Sequence, residues 1–162
     1  MSRTLVDFVE ESNRIEGILR PPTDAEVEEH RRILRAPELT VSHLRDFVRV
    51  VQPGAQLRVN TGMNVRVESH IAPRGGPQIL AMLQSLLYQA NCGWIDAHSP
   101  HSSYETLHPF MDGNGRSGRA LWLWMHHREH GEQAWALGFL HLWYYESLQR
   151  APERLQWGAP RT

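Results

Sequence analysis

Prolines and glycines cut this chain into segments, and inside most segments the apolar residues return with the period of an α-helix. That alternation of helical runs and breakers constrains the fold more than any other feature. Leu5, Phe8, Val9, Ser12, Ile15 and Leu19 form the first stripe, with Thr4 and Asp7 spaced as a capping box and Pro21-Pro22 as the stop. Thr23 and Glu26 repeat the capping signal ahead of Val27, Ile33 and Leu34, up to Ala36-Pro37. A third run, about 41–51, is buried through Leu44, Phe47, Val48 and Val51 and ends before Pro53-Gly54. The period then changes. Leu57 and Val59, and again Val65 and Val67, alternate with polar residues on either side of Asn60–Asn64, which predicts a β-hairpin that must pack on the helices. Ile79, Met82, Leu83, Leu86 and Leu87 restore the helical period until Asn91–Gly93. Ser99-Pro100 suit the N-cap and first residue of a short helix to about Leu107. Further helices are expected from about Gly115 to His130, stopped by Gly131, and from about Ala134 to Gln149, ended before Pro152. The chain is thus expected to be mainly α, with one β-hairpin, as a single domain over residues 1–162.

Composition narrows the function. At 162 residues the chain is long enough for one hydrophobic core and short for two. No apolar run reaches the ~18 residues of a membrane span, and Met1–Glu10 lacks the basic-then-apolar order of a signal peptide. A net charge of −1 supplies no basic field for nucleic acid. The lone Cys92 cannot form an internal disulfide, which fits a reducing, cytoplasmic setting. All 17 basic residues are arginine, so a Schiff-base lysine, a P-loop lysine and a kinase-type strand lysine are excluded together.

The segment His108-Pro109-Phe110-Met111-Asp112-Gly113-Asn114-Gly115-Arg116-Ser117-Gly118-Arg119 carries the chemistry. Gly113, Asn114 and Gly115 precede a predicted helix, where successive backbone N–H groups can turn toward an anion. Arg116 and Arg119, three residues apart, can both fork onto phosphate oxygens. Asp112 offers the single carboxylate that Mg²⁺ typically takes alongside phosphate oxygens. His108 has the intrinsic pKa to accept a hydroxyl proton near neutrality, and Leu107 and Phe110 would anchor the loop in the core. Together they suit attack by an alcohol on a phosphate ester. Taken singly each has an ordinary reading: a structural histidine, a turn cap, a bare G-x-G, two solvated arginines. Only the joint spacing defeats these.

The same residues resemble the Fic family signature H-x-F-x-[D/E]-G-N-G-R-x-x-R, matched at every specified position, with chance odds on the order of 10⁻¹⁰ per starting position. The Tyr104–Leu107 lead-in looks similar too, and the hairpin around Val59–Ile71 stands in the place of the family's flap, which aligns a target segment. The resemblance implies a Fic-type helical domain that transfers AMP from ATP to a Ser, Thr or Tyr hydroxyl of a target protein. By position, His108 is then the general base and Asp112 the Mg²⁺ ligand. Gly113, Asn114, Gly115 and Arg116 cradle the α- and β-phosphates, and Arg119 meets the γ-phosphate. Relatives also move UMP, phosphocholine or a phosphoryl group, and a deAMPylase is a further alternative. The phosphate-transferring toxin branch departs from G-N-G, which this chain retains. Target, modified side chain and oligomeric state stay open, a homo-oligomer included.

Ser12-Asn13-Arg14-Ile15-Glu16-Gly17 fits the family's inhibitory pattern [S/T]-x-x-x-E-[G/N]. The resemblance implies that residues 1–20 form an inhibitory helix, with Ser12 and Glu16 as i,i+4 neighbours on one face and Glu16 reaching Arg119. Two rivals stand beside this reading. One is a non-catalytic nucleotide-binding module. The other is a zinc-binding hydrolase, because His126, Glu129 and His130 spell H-x-x-E-H, with Glu146 or Glu153 as a downstream ligand. The remaining expectations are structural. Trp122, Trp124, Trp135, Trp143, Tyr144 and Tyr145 are core residues, His98 and His101 lie on the surface at a helix start, and Glu26–Glu29 with Arg31–Arg35 form a solvated face. Arg66 and His70 face a target from the flap or are exposed.

Overall fold

The structure is a computed structural model that describes residues 3–67, 69–93 and 96–137. Among these lie six helices, α1 (Leu5–Ile15), α2 (Asp24–Arg35), α3 (Val41–Val51), α4 (Pro77–Cys92), α5 (His98–Leu107) and α6 (Asn114–His130), then a 3-10 helix over Gly131–Leu137. Between α3 and α4 a two-residue antiparallel ladder pairs β1 (Arg66–Val67) with β2 (His70–Ile71). The fold is mainly α with one small hairpin, as the periodicity predicts. No helix of the described residues is long and apolar enough to cross a membrane.

Three of the helix starts share one device. Thr4, Thr23 and Thr40 each accept a bond from the N3 backbone N–H, while the N3 side chain bonds back to the cap. The third box uses His43 at N3, which the pattern rule does not include. α6 is buried along Ala120–Trp124 on all sides, as a central helix must be. One apolar cluster joins α3, α4, α5 and α6 around Phe47, Leu83, Tyr104, Phe110 and Trp124. A smaller one joins α1 to α2, α6 and the 3-10 helix around Phe8, Val9, Val27 and Leu123. Trp122 and Trp124 are core as expected, and Trp135 packs on the smaller cluster. Trp143, Tyr144, Tyr145 and the helix expected to reach Gln149 lie outside the described residues.

Several expectations need correction. α1 ends at Ile15, short of Pro21, because Gly17 takes a left-handed φ of 75°. Its N–H donates to Arg14 O and that of Ile18 to Asn13 O, the paired bonds of a Schellman motif, and Leu19 is left exposed. The 57–59 run does not pair with 65–67. Leu57 bridges Phe110 instead, with Arg58 N–H donating to Pro109 O and Met111 N–H to Gln56 O, so this edge is spent on the motif loop. The 134–137 residues continue a 3-10 helix begun at Gly131 and do not start a new α-helix. α5 begins at His98 with Ala97 at its N-cap, and Asp96 Oδ1 accepts from the N–H groups of His98 and Ser99, so Ser99 is not the cap. His101 is buried, its Nδ1 2.9 Å from Gly118 O, because α5 packs that face on α6. Glu26 is likewise buried, held between Arg20 and the Thr23 N–H, so only the outer part of α2's charged run is solvated.

Candidate active site

The loop from His108 to Gly113 turns the chain from the end of α5 into the start of α6. Asn114 locks it: its Oδ1 accepts from Phe110 N–H and its Nδ2 donates to Phe110 O, both at 2.9 Å. Phe110 and Leu107 are buried beneath, as expected. Gly113 precedes the helix with a left-handed φ of 76°, a conformation that favours glycine. The N–H groups of Asn114, Gly115 and Arg116 then open α6 with no intrahelical acceptor, at the positive end of its dipole. This helix start is built to receive negative charge.

His108 caps α5 with φ 45° and ψ 65°, the one positive φ among the described non-glycine residues. Such a backbone is uncommon and must be held by its surroundings. Arg58 is the holder. Fully buried, it donates from Nε to His108 O, from Nη2 to Leu107 O at 2.7 Å, and from Nη1 to Met63 O and Pro73 O at 3.0 and 2.8 Å. Its own carbonyl accepts from Gly76 N–H at 2.9 Å. One arginine thus joins the end of α5, the flap's root and the start of α4. The His108 ring donates from Nδ1 to Glu105 O, which fixes the tautomer and leaves Nε2 as the basic nitrogen. Burial holds its pKa below the ordinary histidine value and so favours the neutral imidazole. His70 of β2 comes within 5.9 Å of it, ring centre to ring centre, and its Nε2 is 2.9 Å from Thr106 O. Of the two flap residues, His70 therefore faces the site, while Arg66 is exposed.

Asp112 is exposed, with Oδ1 accepting from Gly113 N–H at 2.6 Å and Oδ2 from Gln52 Nε2 at 2.7 Å. Each oxygen keeps a further lone pair, so an outward carboxylate beside an anion-receiving helix start fits a hard Mg²⁺ ion. Gln52 also accepts from Arg116 Nη2, and Arg116 Nη1 donates to Val51 O at 2.6 Å. Arg116 is buried, its pKa lowered by desolvation. Gln52 and Arg58 have no local signature, and only their contacts some 50 to 65 residues away in the sequence reveal them.

The other flank of the helix start belongs to α1. Arg119, 1% exposed, donates from Nε to Ser12 Oγ at 2.8 Å and from Nη2 to Ser12 O at 3.0 Å and Glu16 Oε1 at 2.5 Å. The Glu16 side chain is 37% exposed, and its Oε1 would lie 2.2 Å from a Cβ added to Gly115. A carboxylate therefore rests directly on the first turn of α6. The structure brings His108, Asp112, Gly113, Asn114, Gly115, Arg116, Arg119, Ser12 and Glu16 around that one turn.

His126, Glu129 and His130 sit at the far end of α6, and Glu146 and Glu153 lie outside the described residues. A family model described as the Fic/DOC family matches residues 38–126, more than half of the chain and all of the loop. α1 and α2 lie before the matched span. Comparisons with curated proteins and with solved structures returned no match.

Proposed function

The chain belongs to the Fic/DOC family, and from that premise we propose that it is a protein adenylyltransferase, dependent on Mg²⁺ and ATP and restrained by its own α1. Members of the family are typically transferases. What carries the finer reading is the convergence on one helix start of a neutral imidazole, an exposed carboxylate, three unclaimed amides and two guanidinium groups. Retention of Gly113, Asn114 and Gly115 favours nucleotidyl transfer over phosphoryl transfer.

The opening N–H groups of α6 would bind the phosphate chain, and Arg116 and Arg119 would add cationic donors beside it. Asp112 would hold Mg²⁺, which supplies neutralisation of phosphate charge when bound. The flap would present the target hydroxyl to His108. Nε2 takes the hydroxyl proton as the oxygen attacks the α-phosphorus, the bond to the β-phosphate oxygen breaks, and pyrophosphate leaves. Burial disfavours the protonated ring, and the Glu105 carbonyl engages Nδ1–H, so Nε2 is left as the nitrogen that takes the proton.

The restraint follows from Glu16. Its carboxylate claims Arg119 and lies over Gly115, so a triphosphate arriving there would meet negative charge and lack one cation. Without that cation the α-phosphate would be misaligned for in-line attack. Intact mass spectrometry of Glu16→Gly protein, incubated with Mg²⁺ and each nucleotide in turn, tests the reading. A gain of one AMP from ATP, larger than in the unaltered chain, is expected. Adding His108→Ala should cut that gain about 10²- to 10⁴-fold while nucleotide still binds. A gain of a different group would reassign the donor. Nucleotide binding with no transfer in Glu16→Gly would leave a binding module in place of the enzyme.

A further inference from the structure

The last turn of α6 holds a cluster of side chains that the transferase reading leaves unused. His126, Glu129 and His130 occupy helical positions i, i+3 and i+4, and each offers one ligand atom, all within 4.8 Å of one another. The two imidazole rings lie 5.9 Å apart, inclined by only 21°. Glu129 Oε2 stands 3.5 Å from His130 Nε2. His126 is held in place by Trp122, whose ring it meets edge-on at 4.2 Å, and its buried Nδ1 has no hydrogen-bond partner. An orphaned buried nitrogen in a histidine cluster calls for a ligand.

The surroundings favour a cation. The carboxyl end of a helix carries partial negative charge, and Asp96 adds a second carboxylate that acts on His126. The basic neighbours face elsewhere: Arg128 lies over Trp124, 4.6 Å from its ring centre, and His127 stacks on Trp135 at 5.5 Å. Two imidazoles and one carboxylate are the donors of Zn²⁺ and its borderline neighbours and do not suit Mg²⁺, which demands oxygen ligands.

We infer that His126, Glu129 and His130 form a binding site for a transition-metal ion of the Zn²⁺ class, at the opposite end of α6 from the phosphate cradle. The third ligand comes from within the H-x-x-E-H run, with no need for one downstream. The inference concerns binding alone, adds no hydrolytic step, and stands independently of the transferase reading.

Equilibrium dialysis of the full, untagged chain against ZnCl₂ without nucleotide tests it, with Co²⁺ absorption as a second readout. The unaltered protein should retain one equivalent of Zn²⁺, and Co²⁺ should give the visible bands of a low-coordinate nitrogen–oxygen site. His126→Ala/His130→Ala should lose the equivalent, and His108→Ala should keep it. Should the double variant fail to fold, His130→Ala and Glu129→Gln, both at exposed positions, should each release zinc at lower chelator concentration than the parent. Uptake below one equivalent, uptake that these substitutions leave unchanged, or loss in His108→Ala would overturn the site.

Discussion

The two flanks of the α6 start are built on different terms. On the α3 side, Arg116 donates to Val51 O and Gln52 Oε1, neutral acceptors at the end of a helix rooted in the larger apolar cluster. On the α1 side, Arg119 donates to Ser12 and to the charged Glu16, from a helix that belongs to the smaller cluster and ends at a Schellman turn. Two arginines one helical turn apart thus answer to opposite principles. The first is locked by uncharged groups that cost much to leave unpaired. The second is a buried guanidinium held by two neutral Ser12 oxygens and by Glu16, whose carboxylate is partly exposed and is the partner that another anion could replace. On the proposed reading, the difference means that the α3 flank sets the geometry and the α1 flank does the regulating.

The sharpest way to break this contrast is Arg58→Met. It removes the donors to four carbonyls at the junction of flap, loop and α5, so it should cost about 3 kcal/mol or more and abolish transfer. A urea unfolding curve that keeps its midpoint would show that the loop leading into α6 is not held by Arg58. The next effect is on pH dependence. His30 is buried between Phe8 and Phe47, and burial pushes its pKa down to about 4; His101 is pushed down to about 3 in the same way. Both values lie below the unfolded one, so the unfolded chain binds protons first. The stability they confer is complete above about pH 6.5 and falls as the pH drops toward 4, by about 1.4 kcal/mol per pH unit for each histidine. Denaturant titrations at pH 7 and pH 5 should show the loss, and equal midpoints would contradict it. The smallest effect is Thr4→Ala, which removes the α1 capping box at a cost of about 1 kcal/mol. It should lower the melting temperature slightly and, if the α1 flank is the regulatory one, raise automodification in the direction of Glu16→Gly. Lower stability with an unchanged rate would confine α1 to a structural role.

Much of this was legible from residue order. Local signals, the threonine caps and the apolar stripes of α2 to α4, fixed those helices to within a residue or two, because their causes lie within one turn. The motif loop was legible for the same reason. Ser12 and Glu16 were legible through the short pattern that pairs them, four residues apart on one helix face. What escaped was non-local. Leu57–Val59 alternate like half of a hairpin, yet their partner is Phe110, chosen by tertiary packing. His101 follows Pro100 in a polar stretch, and nothing nearby announces that α6 will cover it. Arg58 and Gln52 look like ordinary polar residues until the chain folds back on them.

Gly115 has a consequence of its own. With a methyl group there set to lie 2.2 Å from Glu16 Oε1, alanine at this position would push the tip of α1's carboxylate aside. On the proposed reading, brake and nucleotide compete for the same bare patch of peptide backbone. A single carbon atom can therefore tilt the contest while every residue of α1 stays as it is.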